Sequence, residues 1–301
     1  MKINLCFKNI CFYLLVNFLT IGFIEADETS LPKKYKLALC AIFKNEARYL
    51  KEWIEYHKLV GVEHFYLYNN KSKDRYFEIL EPYIKRGIVT LIHWPDNLGY
   101  LKEENMFLWA ISTQMPAFEH AIQFKAKKEA EWLVCMDINE FLVPPTTDNL
   151  LEILEKYDDY PAITYRTDYY DAYKSQHFPS KKLIIETTEL ISPPYLNPAK
   201  GVAKMIFKPE FCRGFTWAPY TPKFIAEKEP AQLRKPEMRL NFYSNRNAGL
   251  FYFGKTRLQI DNRTLSDEEI TQLLDLGYEI EEQDSPMQRF IPALLNTLSP
   301  N

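Results

Sequence analysis

Four strand-length apolar runs, separated by three helix-length segments, constrain this chain more than any other feature. KLALCAIFK (36–44), EHFYLYNN (63–70), IVTLIHW (88–94) and WLVCMD (132–137) have the length and apolar content of buried strands. Between them lie a helix over 46–60, with Leu50, Trp53, Ile54 and His57 on one face, a second near 74–83, and a long helical region over 103–129. Asn45 is placed to cap the first helix and Gly61 to end it. Pro116 is expected to break the long one. Strand and helix in alternation predict an α/β fold: a mostly parallel, Rossmann-like sheet with helices on both faces. Ligands of such sheets collect beyond the carboxyl ends of the strands. The polar residues at those ends are Asn45 and Glu46, Asn69 and Asn70 with Asp74, His93, and the cluster Asp137, Asn139 and Glu140.

That last cluster sits in WLVCMDINEFLVP (132–144). Side chains alternate across a strand, so Asp137 and Asn139 are expected to point to one side and Glu140 to the other. Two oxygen donors on one face suit a divalent cation (Mn2+ or Mg2+) that keeps several waters and also meets substrate phosphates. The competing reading is a polar strand end that turns the chain. His57, on the apolar face of its helix, reads as a core histidine; His93 is nearer a strand tip.

Composition narrows the classes. The 301 residues are 47% hydrophobic and 26% charged, with a net charge of −3, enough to bury a large core and without an electrostatic case for nucleic acid. None of the nine glycines forms a dinucleotide-binding or P-loop pattern. Cys40, Cys135 and Cys212 lack C-x-x-C spacing, and Cys40 and Cys135 read as small buried hydrophobes. At the N-terminus, Lys2 and Lys8 precede ICFYLLVNFLTIGFI, a signal-peptide-like run with Ile24-Glu25-Ala26 as a cleavage site. Residues 1–26 are therefore expected to be a signal peptide or an N-terminal membrane anchor. Both place the protein in the secretory pathway, exported or membrane-associated.

CAIFKNEARYLKEWIEYHKLVGVEHFYLYNNKSKD (40–74), followed by HWP (93–95) and WLVCMDINEFLVP, resembles glycosyltransferase family 92, nucleotide-sugar enzymes of the GT-A fold. The resemblance continues thinly through KMIFKP (204–209) and LNFYSNR (240–246). It implies transfer of a sugar from a nucleotide-diphosphate donor to a glycan or other acceptor hydroxyl, with inversion. Asn45, Glu46, Asn70 and Asp74 would border the nucleoside, Asp137 and Asn139 the metal, and Lys204 and Lys208 the diphosphate. Asp168 and Asp171, or Glu140, are the candidates for the catalytic base. The family usually shows D-x-D-E-F and N-H-Y; here Asn139 and Phe242 replace an expected aspartate and histidine. The alternative is a catalytically degenerate nucleotide-sugar or glycan-binding protein of the same fold. Residues 36–260 would form the GT-A-like domain. Residues 261–301 would form a helical extension, with a capping box at Ser266–Glu269 and a stop at Gly277.

Overall fold

Strand β1 (Tyr35–Phe43) sends Leu37, Leu39, Ala41 and Phe43 into one apolar cluster and Ala38, Cys40 and Ile42 into another. A strand apolar on both faces needs cover on both sides of its sheet. Its neighbours β2 (His64–Asn69) and β4 (Ala130–Cys135) are parallel to it, and β3 (Val89–His93) extends the parallel set beyond β2. The strand order is β3–β2–β1–β4, and its parallel pairing is the one expected of the first half. In this computed structural model the described residues are 32–95, 106–171, 183–186, 190–192, 204–216, 221–225, 228–233, 237–243, 250–253, 256–259, 268, 271–272, 275, 279–280 and 286–299. The N-terminal apolar run and the capping box at 266–269, apart from helical Glu268, lie outside them. No helix among the described residues is long and apolar enough to cross a membrane.

Helices α1 (Ala47–Leu59) and α2 (Tyr76–Lys85) cover one face with Leu50, Trp53, Ile54, Tyr56, Leu80 and Tyr83. Gly61 ends α1 at φ 104°, a conformation that favours glycine; a Cβ there would also come within 2.2 Å of Asn149 Oδ1. Helix α3, residues 106–129, covers the other face through Trp109, Ala117, Phe118, Ala121, Ile122 and Ala126. It is not broken at Pro116. Instead, α-helical turns alternate with two π-helical ones, Ala110–Gln114 and Ile122–Ala126. The first widens the helix just ahead of Pro116, where the ring would otherwise press on the preceding turn.

Beyond β4 the sheet becomes mixed. β8 (Lys204–Phe207) pairs antiparallel with β4 and with β6 (Ala162–Asp171). β12 (Arg239–Tyr243) lies parallel to β6 and antiparallel to β5 (Glu140–Val143). Short pieces complete it: β7 (Leu190–Ser192) on β6, β11 (Ala231–Gln232) on β6, and β15 (Glu279–Ile280) on β7. β9 (Cys212–Phe215) pairs with β10 (Pro222–Phe224), and β13 (Leu250–Phe253) with β14 (Thr256–Gln259). Within 181–190, which reads as strand, Ile184–Glu186 instead form a 3-10 turn whose N–H groups at Ile184 and Ile185 are taken by the Glu52 carboxylate. Helix α4 (Leu150–Lys156) starts at Asn149, whose side chain accepts from Leu151 N–H. Helix α5 (Ile291–Leu298) closes the chain. Cys40, Cys135 and Cys212 are buried thiols of one core cluster.

Candidate functional site

The carboxyl ends of β1, β2 and β3 are stitched into one rim. Asn45 sits at φ 58°, a left-handed conformation that asparagine tolerates. Its Oδ1 accepts from Lys73 N–H (2.8 Å), and its own N–H donates to Ser72 Oγ (2.9 Å). Ser72 N–H donates to Asn69 Oδ1 (2.9 Å), Asn70 N–H to Phe43 O (2.8 Å), and Asn70 Nδ2 to Trp94 O (3.2 Å). Asn45 does not cap α1, and Asp74 does not cap its own helix. Asp74 reaches across the rim instead, its Oδ2 accepting from Ala47 N–H at 2.8 Å. A carboxylate at a helix N-terminus is favoured by the exposed N–H groups there. The other oxygen, Oδ1, is enclosed and finds no donor among the described residues.

At the end of β4 the chain turns sooner than strand periodicity suggests. β4 stops at Cys135, and Asp137–Glu140 is a reverse turn closed by Glu140 N–H donating to Asp137 O (3.1 Å). The alternation nonetheless survives in burial: Met136, Ile138 and Glu140 are buried, while Asp137 and Asn139 are half-buried. Gln114 Nε2 donates to Asp137 Oδ1 (2.8 Å), and Asn139 Nδ2 to Tyr243 O (3.2 Å). Glu140, 1% exposed, accepts from Asp137 N–H (2.8 Å) and from Lys204 Nζ at both oxygens (2.6 and 2.8 Å). Burial pushes its carboxyl up, and the Lys204 ammonium opposes that shift.

These contacts reassign several residues. Glu140 is sealed and doubly occupied, so it supports the turn and is not placed to take a proton from an acceptor. Lys204 is spent on Glu140 and is not turned to a diphosphate. Lys208 is at the other end of the sheet, because β8 runs against β4. Its ammonium donates to Asp158 O and Oδ1 (2.6 and 2.7 Å) and lies over Trp132, about 13 Å of strand from Lys204. Asp168 is 2% exposed and paired with Arg166 Nε (2.9 Å) and Arg239 Nη1 (3.6 Å), so it too is not presented to an acceptor. Asp171 ends β6, in register with Leu190. His93 is exposed at the tip of β3, its Nδ1 3.5 Å from Asn69 Nδ2. Phe242, where a histidine was expected, pairs in register with Glu140, next to Asn139.

His57 has a structural task. Its Nδ1–H donates to Trp53 O (2.8 Å) and its Nε2 accepts from Leu142 N–H (3.3 Å). Trp53 Nε1 donates to Glu140 O (2.9 Å), and Tyr56 OH to Leu142 O (2.8 Å). Residues i, i+3 and i+4 of one helix face thus satisfy the edge of β5 that has no partner strand among the described residues. Gln114 was missed from the sequence. Its signal was a polar side chain between Ala110 and Phe118, at the spacing of an apolar stripe.

Among the described residues no three His, Cys, Asp or Glu side chains gather as a metal centre. Asp137 and Asn139, both half-buried on one turn, offer two oxygen-bearing side chains, which fits a cation that arrives with a diphosphate and keeps waters rather than an ion held by the protein alone.

Comparison with known proteins identifies a family. The profile of Glycosyltransferase family 92 matches residues 33–275. A glycosyltransferase family 92 protein of Oryza sativa subsp. japonica is 32% identical over 131 residues, 44% of this chain and 20% of the relative. One from Arabidopsis thaliana is 32% identical over 123 residues, 41% of this chain and 19% of the relative. The Arabidopsis thaliana galactan beta-1,4-galactosyltransferase GALS3 is 27% identical over 154 residues, 48% of this chain and 28% of the relative. The chain thus spans about a fifth of the first two relatives. Among solved structures, S. aureus TarS 1-349 in complex with UDP aligns with a TM-score of 0.40 and 12% identity, over 69% of this chain and 60% of that one. With the profile spanning most of the described sheet, the chain belongs to glycosyltransferase family 92.

Proposed function

We propose that this protein transfers a sugar from a nucleoside diphosphate to a hydroxyl of a glycan acceptor, with inversion. The observation that carries the reading is the convergence of Asn45, Asn70 and Asp74 on one stitched rim, with half-buried Asp137 and Asn139 ending the next strand of the same sheet edge. Asn45 and Asn70 hold amide groups on that rim, of the kind that can hydrogen-bond a nucleoside. Asp137 and Asn139 would meet the diphosphate with its divalent cation, which supplies positive charge against the departing group. With Asp168 and Glu140 sealed, Asp171 is the remaining candidate base, an inverting transfer requiring a carboxylate within hydrogen-bond reach of the acceptor hydroxyl.

The test is thermal and chemical denaturation of the full chain with UDP, GDP and CDP, each with and without manganese. One of them should stabilise the protein, by about 2.7 kcal/mol at a hundredfold excess over its dissociation constant. The matching nucleotide sugar should then release its diphosphate faster in the presence of a galactan or oligosaccharide acceptor. Binding without that release favours the degenerate, binding-only alternative. No stabilisation by any of the three removes the reading.

A further inference from the structure

Gln114 closes the π-helical turn Ala110–Gln114 of α3 and is 3% exposed. Its amide Nε2 donates to Asp137 Oδ1 at 2.8 Å. The carbonyl just before it, Thr113 O, accepts from Trp94 Nε1 at 3.0 Å, and Trp94 N–H donates to Asn69 O at 2.9 Å. One turn of helix therefore ties the rim at β2 and β3 to the acidic turn after β4. The π geometry matters to this link. It frees carbonyls from the regular helical ladder, and such turns recur at functional sites.

We infer that Gln114 is a positioning residue for the donor site. Its neutral amide holds one oxygen of the Asp137 carboxylate and so fixes how that carboxylate faces the diphosphate and its cation. The inference rests on the donor-binding role proposed above for Asp137. The residue type suits the task. An amide donates a hydrogen bond without cancelling the carboxylate's charge, as lysine or arginine would, and without the repulsion that a glutamate would bring. Asp137 lies on a reverse turn, where an unsupported side chain would sample several rotamers; a held one meets its ligand with less ordering to do.

The experiment is a double-mutant cycle on the full chain, read by titration calorimetry with whichever of UDP, GDP and CDP binds, with and without manganese. Gln114→Met should weaken manganese-dependent nucleotide binding by roughly tenfold to a hundredfold, the range seen when the outer partner of a ligating group is lost. Binding without manganese should be unchanged. In an Asp137→Ala background the same substitution should have no further effect, because the two residues act as a unit. Gln114→Asn, which keeps the amide but is one methylene short, stands in if the methionine variant melts early. Equal losses in both backgrounds would mean that Gln114 merely packs, and an unchanged affinity in a folded variant would mean that it does not hold Asp137. If Asp137→Ala leaves affinity intact, the donor-site reading of Asp137 itself falls, taking this inference with it. If Asp137→Ala weakens binding and Gln114→Met does not, the role of Gln114 alone is refuted.

Discussion

Asn139 donates its amide to Tyr243 O at 3.2 Å, while Tyr243 N–H donates back to Asn139 O at 2.9 Å. The pair fastens the acidic turn to the end of β12, so the identity of one terminal atom at position 139 acts in two directions. Asn139→Asp turns a donor into an acceptor facing a carbonyl. At a half-buried position this should lower the stability of the ligand-free protein by about 1 kcal/mol. The same change adds a second carboxylate beside Asp137, so manganese should raise the melting temperature of the variant more than that of the wild type. Thermal unfolding with and without manganese reads both effects. A variant equal to wild type on both counts would show that Asn139 neither fastens the turn nor faces the cation. Asp74 makes a similar point. Its charge is explained by a helix belonging to a different loop, which no local pattern announces.

Among the elements, the contact of α1 with β5 is the most consequential for the site, since β5 begins at Glu140. Trp53, Tyr56 and His57 satisfy its open edge, and all three are fully buried. Burial lowers the His57 pKa from 6.5 to about 3, so the ring stays neutral in the folded protein. The unfolded chain gains a proton below pH 6.5 and the folded one does not until about pH 3. His57 therefore contributes stability that is present above pH 6.5 and is lost as pH falls through that window. The loss is at most about 1.4 kcal/mol per pH unit. His64, lowered to about 4 mainly by burial, adds to the acid sensitivity of both proteins compared. His57→Gln should flatten the dependence of urea stability on pH between 6.5 and 4 by up to one proton, although its stability at pH 7 falls too. Parallel slopes for the two proteins would contradict a neutral, buried His57.

For the molecule as a whole, residues 286–299 hold together distant parts of the chain. Arg289 donates to Pro145 O (2.8 Å), Pro144 O and Thr147 O, and pairs with Asp148 (3.0 Å). Phe290 packs edge-on against Tyr56, Leu294 is fully buried, and Lys51 Nζ donates to Leu298 O (3.2 Å). Arg289→Met keeps the apolar stem and removes the donors from three carbonyls, one contact part-buried and the others exposed. A loss of about 1–3 kcal/mol in unfolding free energy is expected, with nucleotide binding unchanged because the loop lies at the far end of β5. Denaturant unfolding beside calorimetry checks this. An unchanged midpoint would show that water serves those carbonyls equally well.

Much of this protein was legible in its sequence. The apolar runs at 36–44, 63–70 and 132–137 determined three of the parallel strands, because burial on both faces leaves a local signature, and the run at 88–94 the half-buried fourth. The motifs at 40–74 and 132–144 determined the family. Whether a side chain faces the site depended on partners distant in the chain, and only the tertiary structure decided that. Lys204 and Lys208 look equivalent in KMIFK, yet the antiparallel course of β8 against β4 puts one beneath the acidic turn and the other at the opposite end of the sheet. Glu140 reads as a candidate base until Lys204 is seen to occupy it, and Gln114 draws no notice in the sequence until a π turn carries it to Asp137. Periodicity is a property of neighbours along the chain. Hydrogen bonds and ion pairs across 23 or 64 residues are set by how the strands are ordered and directed.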